Sequence, residues 1–285
     1  MLQSFNRSQE ILRSVVRARA CCHQRRHCCA ANGNAMHAGK VAVMTASTKG
    51  IGLAIARRLG QQGAKIVLSS RKQENVNRAV EQLEAENLSV SGTVCDVGKM
   101  EDRSRLLKLA LDKYGGIDYL FSNAAYDLAP KNVLDSTEEE WDTIFHLNVK
   151  SMFLLVKQVY PHMQKRGGGS IVLTSSVVGF SNISMIGPYS VSKTAVNGLT
   201  KVLAPALAPM NIRVNALAPG IIRTEYSKCL WFDENTLETL KPIHGISRAG
   251  EPEECAGMVS FLLSSDASYV TGEIFVVGGG FRTRI

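Results

Sequence analysis

The chain reads as one doubly wound α/β domain with a central parallel sheet, and three features point there. Short apolar runs recur from residue 40 to residue 277, each separated from the next by a helix-length pattern. Those runs are apolar throughout instead of alternating, as strands covered on both faces must be. No Pro/Gly/Ser-rich linker and no internal repeat divides the body, so one sheet of about seven strands accounts for it.

The elements come in order. Residues 40–45 (KVAVMT) suit a buried strand, and the small-residue turn Ala46-Ser47-Thr48-Lys49-Gly50-Ile51-Gly52 leads into a helix ending at Gly60 or Gly63. Residues 66–69 give the second strand and 73–86 an amphipathic helix. Residues 90–95 are the third strand, 101–114 the next helix and 117–122 the fourth strand. Thr137 followed by Glu138, Glu139 and Glu140 is an N-cap with an acidic first turn, opening one long helix toward Lys165. A fifth strand over 170–175 comes after Gly167 to Gly169, then a helix from about residue 188 to 208 and a strand over 213–217. A helix over 253–263 and a strand over 274–277 close the domain. The stretch 221–250, with Trp231 and Phe232, has the weakest patterning and is expected to be a substrate lid.

Hydrophobic residues at 45% and charged ones at 20% match an ordinary globular enzyme, and no apolar run reaches membrane-span length. The formal charge of +8 is concentrated at one end. Residues 1–38 hold Arg7, Arg13, Arg17, Arg19, Arg25 and Arg26 against Glu10 alone, which is +5 of the total. The body is left with about +3, too dispersed to imply nucleic-acid binding. Residues 1–37 read as an Arg-rich targeting segment for mitochondrial import, the alternative being an uncleaved basic tail. The seven cysteines include the pairs Cys21-Cys22 and Cys28-Cys29, whose spacing does not match C-x-x-C zinc sites. Cys95, Cys229 and Cys255 are scattered and read as separate thiols, and no metal is expected.

Chemistry is concentrated in Tyr189-Ser190-Val191-Ser192-Lys193, with Ser176 upstream. A Tyr and a Lys at i and i+4 share one helix face, and an ammonium beside a phenol stabilises the phenolate. The phenol pKa is therefore expected to fall toward neutrality, so that Tyr189 can hand a proton to a carbonyl oxygen. The turn from Thr45 to Gly52 would present backbone N–H groups to phosphate. At the end of the second strand stand Ser69, Ser70, Arg71 and Lys72, with Lys49 in the first turn and no acid. Cations in place of a carboxylate suit the 2′-phosphate of NADP(H).

The residues Thr45 to Gly52, Ser122-Asn123-Ala124-Ala125, Asn148, Ser176, Tyr189-x-x-x-Lys193 and Pro219-Gly220 together resemble the short-chain dehydrogenase/reductase superfamily over about residues 38–280. Ser69 to Gln73, Cys95 to Lys99 and Asp266 to Tyr269 resemble its dehydrogenase/reductase member 4 subgroup, with Hep27-type relatives nearby. That resemblance implies a Rossmann-type domain and an oligomeric NADPH-dependent carbonyl and retinal reductase. Tyr189 would be the general acid in reduction, Lys193 would lower its pKa and bind the nicotinamide ribose, and Ser176 would hold the substrate oxygen. Asn148 would anchor a water leading from Lys193 to solvent. Thr45, Ser47, Lys49, Gly50, Ile51 and Gly52 would surround the pyrophosphate side, with Ser70 and Arg71 at the 2′-phosphate. Asp96 and Val97 would meet the adenine, and Asn123 would steady the first strand's surroundings. Pro219, Gly220, Ile222 and Thr224 would fold against the carboxamide.

Three departures from the family pattern stand out. Ala46 and Ala125 replace glycines, which is tolerable if φ stays negative. Pro205 falls inside the helix that starts near Tyr189, in a region the family uses for subunit contact, and puts a homodimer or homotetramer in question. The ending Thr283-Arg284-Ile285 is a weak match to a peroxisomal tripeptide, so the peroxisome ranks second to the mitochondrion. Leu128, Phe180, Ile183, Met185, Ile186, Trp231 and Phe232 make the substrate side apolar, and hydrophobic ketones and aldehydes (retinal, aromatic ketones, 3-ketosteroids) are expected. A mitochondrial 3-ketoacyl thioester reductase and a non-catalytic NADP(H)-binding scaffold are the alternatives.

Overall fold

A computed structural model of the protein describes residues 35–231, 245–281 and 283. In chain order the elements are β1 (Val41–Met44), α1 (Gly50–Gln61), β2 (Lys65–Ser70), α2 (Gln73–Ala85), β3 (Val90–Val94), α3 (Met100–Tyr114) and β4 (Tyr119–Ser122). Next are α4 (Glu138–Phe145), α5 (Ser151–Lys165), β5 (Gly169–Thr174), α6 (Gly187–Leu207), β6 (Ile212–Pro219), the short α7 (Lys228–Trp231), α8 (Pro252–Leu263) and β7 (Ile274–Val277). All seven strands are parallel, in the order β3-β2-β1-β4-β5-β6-β7.

Strand geometry divides the core. Successive residues point to opposite faces, so Val41 and Val43 join one cluster with Leu106, Leu155, Val196 and Val214. Ala42 and Met44 join the other with Ile55, Leu59, Leu83 and Val259. Helices α3, α5 and α6 thus cover one face, and α1, α2 and α8 the other. Both faces being buried is why the strands carry no polar alternation.

The long helix expected from Thr137 to Lys165 is interrupted. Thr137 and Glu140 form the reciprocal cap, with the Glu140 N–H on Thr137 Oγ1 at 3.3 Å and the Thr137 N–H on Glu140 Oε2 at 2.8 Å. Between α4 and α5, however, residues His146–Lys150 form a π turn. One extra residue per turn rotates Asn148 inward, where it is fully buried. Pro205 lies within α6 at an exposed position near its end, and the helix runs on to Leu207. Pro161 is likewise inside α5.

The packed domain also starts slightly earlier than the expected residue 38. His37 is buried, with its ring nitrogens 3.2 Å from the Tyr119 hydroxyl and 3.1 Å from Ser260 Oγ. The Arg-rich segment up to residue 34, the middle of the expected lid (232–244, including Phe232) and the residues Arg284 and Ile285 lie outside the described residues. No described helix is long and apolar enough to cross a membrane.

Candidate active site

The sheet order reverses between β1 and β4, and the crevice above such a reversal is where open α/β sheets bind ligands. At its floor, small polar residues from neighbouring strand ends hold one another. Thr45 Oγ1 accepts the N–H groups of Asn123 and Ala124 at 3.0 and 3.2 Å. Ser47 donates its hydroxyl to the Met44 carbonyl at 3.0 Å and accepts the Ser69 N–H at 3.3 Å. Both hydroxyls are buried and serve as braces between strands. Asn123 spans the crevice, donating Nδ2 to the Ala46 carbonyl at 2.9 Å and accepting the Thr174 hydroxyl at 3.2 Å. Asn123 thereby joins the ends of β1, β4 and β5.

The N-terminus of α1 has no acidic residue in its first turn and no side-chain cap, so its N–H groups and positive dipole end face outward for an anion. A Cβ on Gly52 would lie 2.6 Å from both the Ala46 carbonyl oxygen and Ser47 Cα, so only glycine lets the turn close there. Gly50, at φ +51°, would place a Cβ 2.9 Å from Thr224 Cγ2. Ile51 is partly buried on the core beside it. One expectation fails at Ala46. Its φ is +47°, in the left-handed region, so the methyl is carried at a conformational cost. The cause is the turn itself, which must aim the Ala46 carbonyl at Asn123. Ala125 has no positive φ.

Ser70 ends β2, paired with Val94, so Arg71 and Asp96 emerge from neighbouring strand ends. Arg71, Lys72 and Lys49 are exposed. Asp96 accepts the Gly98 N–H at 3.0 Å, and the Asp96 N–H donates to Asp102 at 2.8 Å. The buried Val97 gives its carbonyl to Arg103. On the far side, β6 ends at Pro219-Gly220. The chain then folds back so that Ile222 is buried beside Gly250, and Thr224 packs on Gly50 while bonding the Ser227 hydroxyl at 2.9 Å. Residues 219–224 are therefore brought to the crevice with the α1 turn.

At the centre, Tyr189 stands close to Ser176 and Tyr226, with its ring centroid 6.5 Å from that of Tyr226. The ammonium of Lys193, a fully buried side chain, lies 5.3 Å from the Tyr189 ring centroid and donates to the Thr174 carbonyl at 2.8 Å. Ser176 Oγ also accepts the Val178 N–H at 3.4 Å. Asn148 Oδ1 accepts the Tyr126 N–H at 2.7 Å, while Nδ2 donates to the Tyr126 carbonyl at 2.9 Å and to Ser192 Oγ at 3.0 Å. Both amide protons are committed within the protein, and a lone pair of Oδ1 is what remains for the water that the resemblance assigns to it.

The electrostatics differ from expectation. Desolvation raises the Tyr189 phenol instead of letting it fall, with the nearby hydroxyls of Tyr226 and Ser176 only partly offsetting it. Burial also pushes Lys193 down to about 7, opposed by the negative charge of Asp127. The ammonium is spent on a main-chain carbonyl, and in the bare chain it does not offset the desolvation of the phenol. Asp127 itself is pushed up to about 6 by burial, with its Oδ1 accepting the Leu128 N–H at 2.8 Å. Tyr226 is exposed, its ring beside that of Tyr189. Asp127 and Tyr226 are the site residues that pattern reading missed as titratable neighbours. The one available signal was a carboxylate immediately after Asn123-Ala124-Ala125-Tyr126; Tyr226 gives none, since no periodicity marks a loop residue.

This crevice has the parts of a nicotinamide-dependent oxidoreductase: a glycine turn opening a helix for phosphate, and a Ser, Tyr and Lys converging beside it. Comparisons with known proteins agree. The family described as "Enoyl-(Acyl carrier protein) reductase" matches residues 45–282. Dehydrogenase/reductase SDR family member 4 of Sus scrofa is 58% identical over 246 residues, covering 86% of this chain and 88% of the relative. Its Homo sapiens counterpart is 57% identical over 248 residues, covering 87% and 89%. A solved short-chain type dehydrogenase/reductase from Mycobacterium ulcerans superposes with a TM-score of 0.82 at 27% identity, covering 85% of this chain and 90% of that one. The chain belongs to the short-chain dehydrogenase/reductase family, and is an oxidoreductase that uses a nicotinamide cofactor.

Proposed function

We propose that this protein is an NADPH-dependent reductase of hydrophobic ketones and aldehydes, with retinal, aromatic ketones and 3-ketosteroid-like carbonyls as the substrate class. The observation that carries the reading is the buried amine of Lys193 set 5.3 Å from the Tyr189 ring one helical turn away, with Ser176 close to the phenol. A reduced nicotinamide supplies hydride to the carbonyl carbon. Ser176 and Tyr189 orient the carbonyl oxygen, and Tyr189 gives it a proton as charge develops there. Lys193, fixed by the Thr174 carbonyl, is placed to bind the ribose and to stabilise the phenolate left behind. Asn148 fixes the backbone at Tyr126 and, through Ser192, the start of α6.

Exposed Arg71, Lys72 and Lys49, with no acid at the end of β2, support NADP(H) over NAD(H). Exposed Ile183 and Met185 on the segment before α6 support an apolar substrate. The test is a carbonyl panel with NADPH oxidation followed by absorbance, repeated with NADH. A higher kcat/KM with NADH overturns the cofactor assignment, and no turnover of any carbonyl overturns the reductase. Turnover confined to acetoacetyl thioesters would favour a 3-ketoacyl thioester reductase. A cellular phenotype untouched by Tyr189→Phe would favour an NADP(H)-binding scaffold. We further propose a homodimer or homotetramer, to be tested by sedimentation, and delivery to mitochondria by the Arg-rich segment over peroxisomal delivery by Thr283-Arg284-Ile285. Fluorescent fusions at each terminus separate those two.

A further inference from the structure

We infer that Asn197 is a positioning residue for this site: its carboxamide staples the turn that carries Ser176 onto the helix that carries Tyr189 and Lys193. The inference rests on the reductase reading for what Ser176 then does, while the staple itself is measured without a substrate.

Helix α6 sets the row. Tyr189, Lys193 and Asn197 stand at i, i+4 and i+8, so they share one face of the helix. Asn197 is buried at the end of that row. A buried carboxamide needs a partner for each end, and Asn197 finds both outside α6. Its Oδ1 accepts the Ser175 hydroxyl at 2.6 Å, and its Nδ2 donates to the Gly179 carbonyl at 3.2 Å. A carbonyl can only accept, which fixes the two ends of the amide.

Those two partners bracket Ser176. Ser175 precedes it just past the end of β5, with its N–H on the Leu217 carbonyl at 2.7 Å. Gly179 closes the tight turn after it, with its N–H on the Ser176 carbonyl at 3.0 Å. One carboxamide thus grips the chain on both sides of Ser176. The approach is close. A Cβ on Gly179 would lie 2.9 Å from the Lys193 carbonyl carbon and 3.1 Å from Asn197 Nδ2, so glycine is what lets the turn reach the helix. Two further bonds run between the same segments. The Thr194 hydroxyl donates to the Gly179 carbonyl at 3.0 Å, and the Lys193 carbonyl is a second acceptor for the Ser175 hydroxyl at 3.2 Å.

The Ser176 side chain is held less tightly than its backbone. Its Oγ accepts the Val178 N–H at 3.4 Å and reaches the Pro219 carbonyl at 3.5 Å, both long for hydrogen bonds. A fixed backbone with a hydroxyl left to turn toward a ligand suits a residue that must hold a carbonyl oxygen at a set distance from Tyr189. Leucine at 197 would keep the volume, leaving the Gly179 carbonyl to Thr194 and the Ser175 hydroxyl to the Lys193 carbonyl. The fold is then kept while the bracket is lost.

The experiment compares full-length wild type, Asn197→Leu and Ser175→Ala. Hydrogen exchange of peptides covering residues 175–181, without substrate, reads the staple; NADPH titration reads the cofactor site; carbonyl reduction reads catalysis. In Asn197→Leu, exchange over 175–181 should quicken about tenfold, the scale of one to two neutral hydrogen bonds. The kcat should fall about tenfold, since a misplacement of about 1 Å can cost about a hundredfold and a smaller one is expected here. The KM and Kd for NADPH should stay within about twofold, a split that general loosening of the domain would not give. Ser175→Ala removes one arm of the bracket and should move exchange and kcat about threefold, which decides the matter if Asn197→Leu does not fold. Unchanged exchange overturns the proposal; so does faster exchange with kcat retained, or a loss of NADPH affinity that matches the loss of kcat. If the wild type reduces no carbonyl, the reductase reading fails, and the exchange data alone decide whether Asn197 holds the Ser176 turn.

Discussion

Ala46→Gly sets two opposed effects against each other at the mouth of the crevice. Ala46 sits at φ +47°, and its carbonyl accepts Asn123 Nδ2 at 2.9 Å, a bond that holds the backbone in that state. For a residue with a Cβ the left-handed region costs about 1–2 kcal/mol. Glycine removes that cost but has more unfolded-state freedom to lose, about 0.4–1 kcal/mol. The methyl is exposed, so removing it leaves no cavity to offset the gain. The net expectation is a stabilisation of about 0.5–1 kcal/mol, which for a domain of this size raises Tm by about 1–4 °C. Differential scanning calorimetry of the two proteins without cofactor measures it. A Tm that stays the same or falls would refute the reasoning, because it would mean that the left-handed state is not strained or that the methyl packs on something.

Three further outcomes are expected. Tyr226→Phe removes the hydroxyl of the ring that stands 6.5 Å from that of Tyr189, a polar competitor for the place a carbonyl oxygen must take, so KM should fall by up to severalfold, the scale of one neutral hydrogen bond, with kcat little changed; a raised KM would mean that Tyr226 binds substrate instead. Pro205→Ala restores an N–H to the last turns of α6 at an exposed position and should raise Tm by several degrees, set against the ~3 kcal/mol that proline costs in a helix interior; no change would show that the helix end already accommodates the ring. His37 is pushed down to about 4 by burial, so the unfolded chain binds its proton first and stability, full above about pH 6.5, is lost as pH falls toward 4. The Tm of His37→Gln should therefore fall less between pH 7.5 and 5 than that of the wild type, and equal slopes would assign the acid sensitivity elsewhere.

Much of the fold is legible because burial on both faces leaves each strand a plain apolar run, and because Thr137 with Glu140 announces a helix start. The π turn at Asn148 is invisible to that reading, since one inserted residue in a continuous helix leaves composition unchanged and only rotates the residues after it. Tyr189 and Lys193 are found by spacing, Ser176 and Asn148 through the family resemblance, and the structure brings all four to one crevice. Spacing does not carry charge state. A lowered phenol pKa is the expectation for an ammonium taken in isolation, and it reverses where desolvation of the phenol outweighs it and the buried amine turns to the Thr174 carbonyl. Asp127 and Tyr226 belong to the same gap, because their effect on Tyr189 depends on a meeting of loops that no local pattern encodes.

The residues that hold the crevice together and those that act in it form one chain of contacts. Thr45 receives Asn123, Asn123 receives the Thr174 hydroxyl, and the Thr174 carbonyl receives Lys193, so the phosphate turn and the catalytic amine are linked through three strand ends. Parallel strands leave their last polar groups unpaired at the same edge where the ligand binds, and buried polar groups must be satisfied. Small hydroxyl and amide side chains satisfy them without filling the crevice. The main-chain N–H groups at the start of α1 are then left as the donors for an anion, which is why Thr45 and Ser47 serve the cofactor as braces and not as ligands. A substitution in that chain of contacts should therefore lower stability and turnover together.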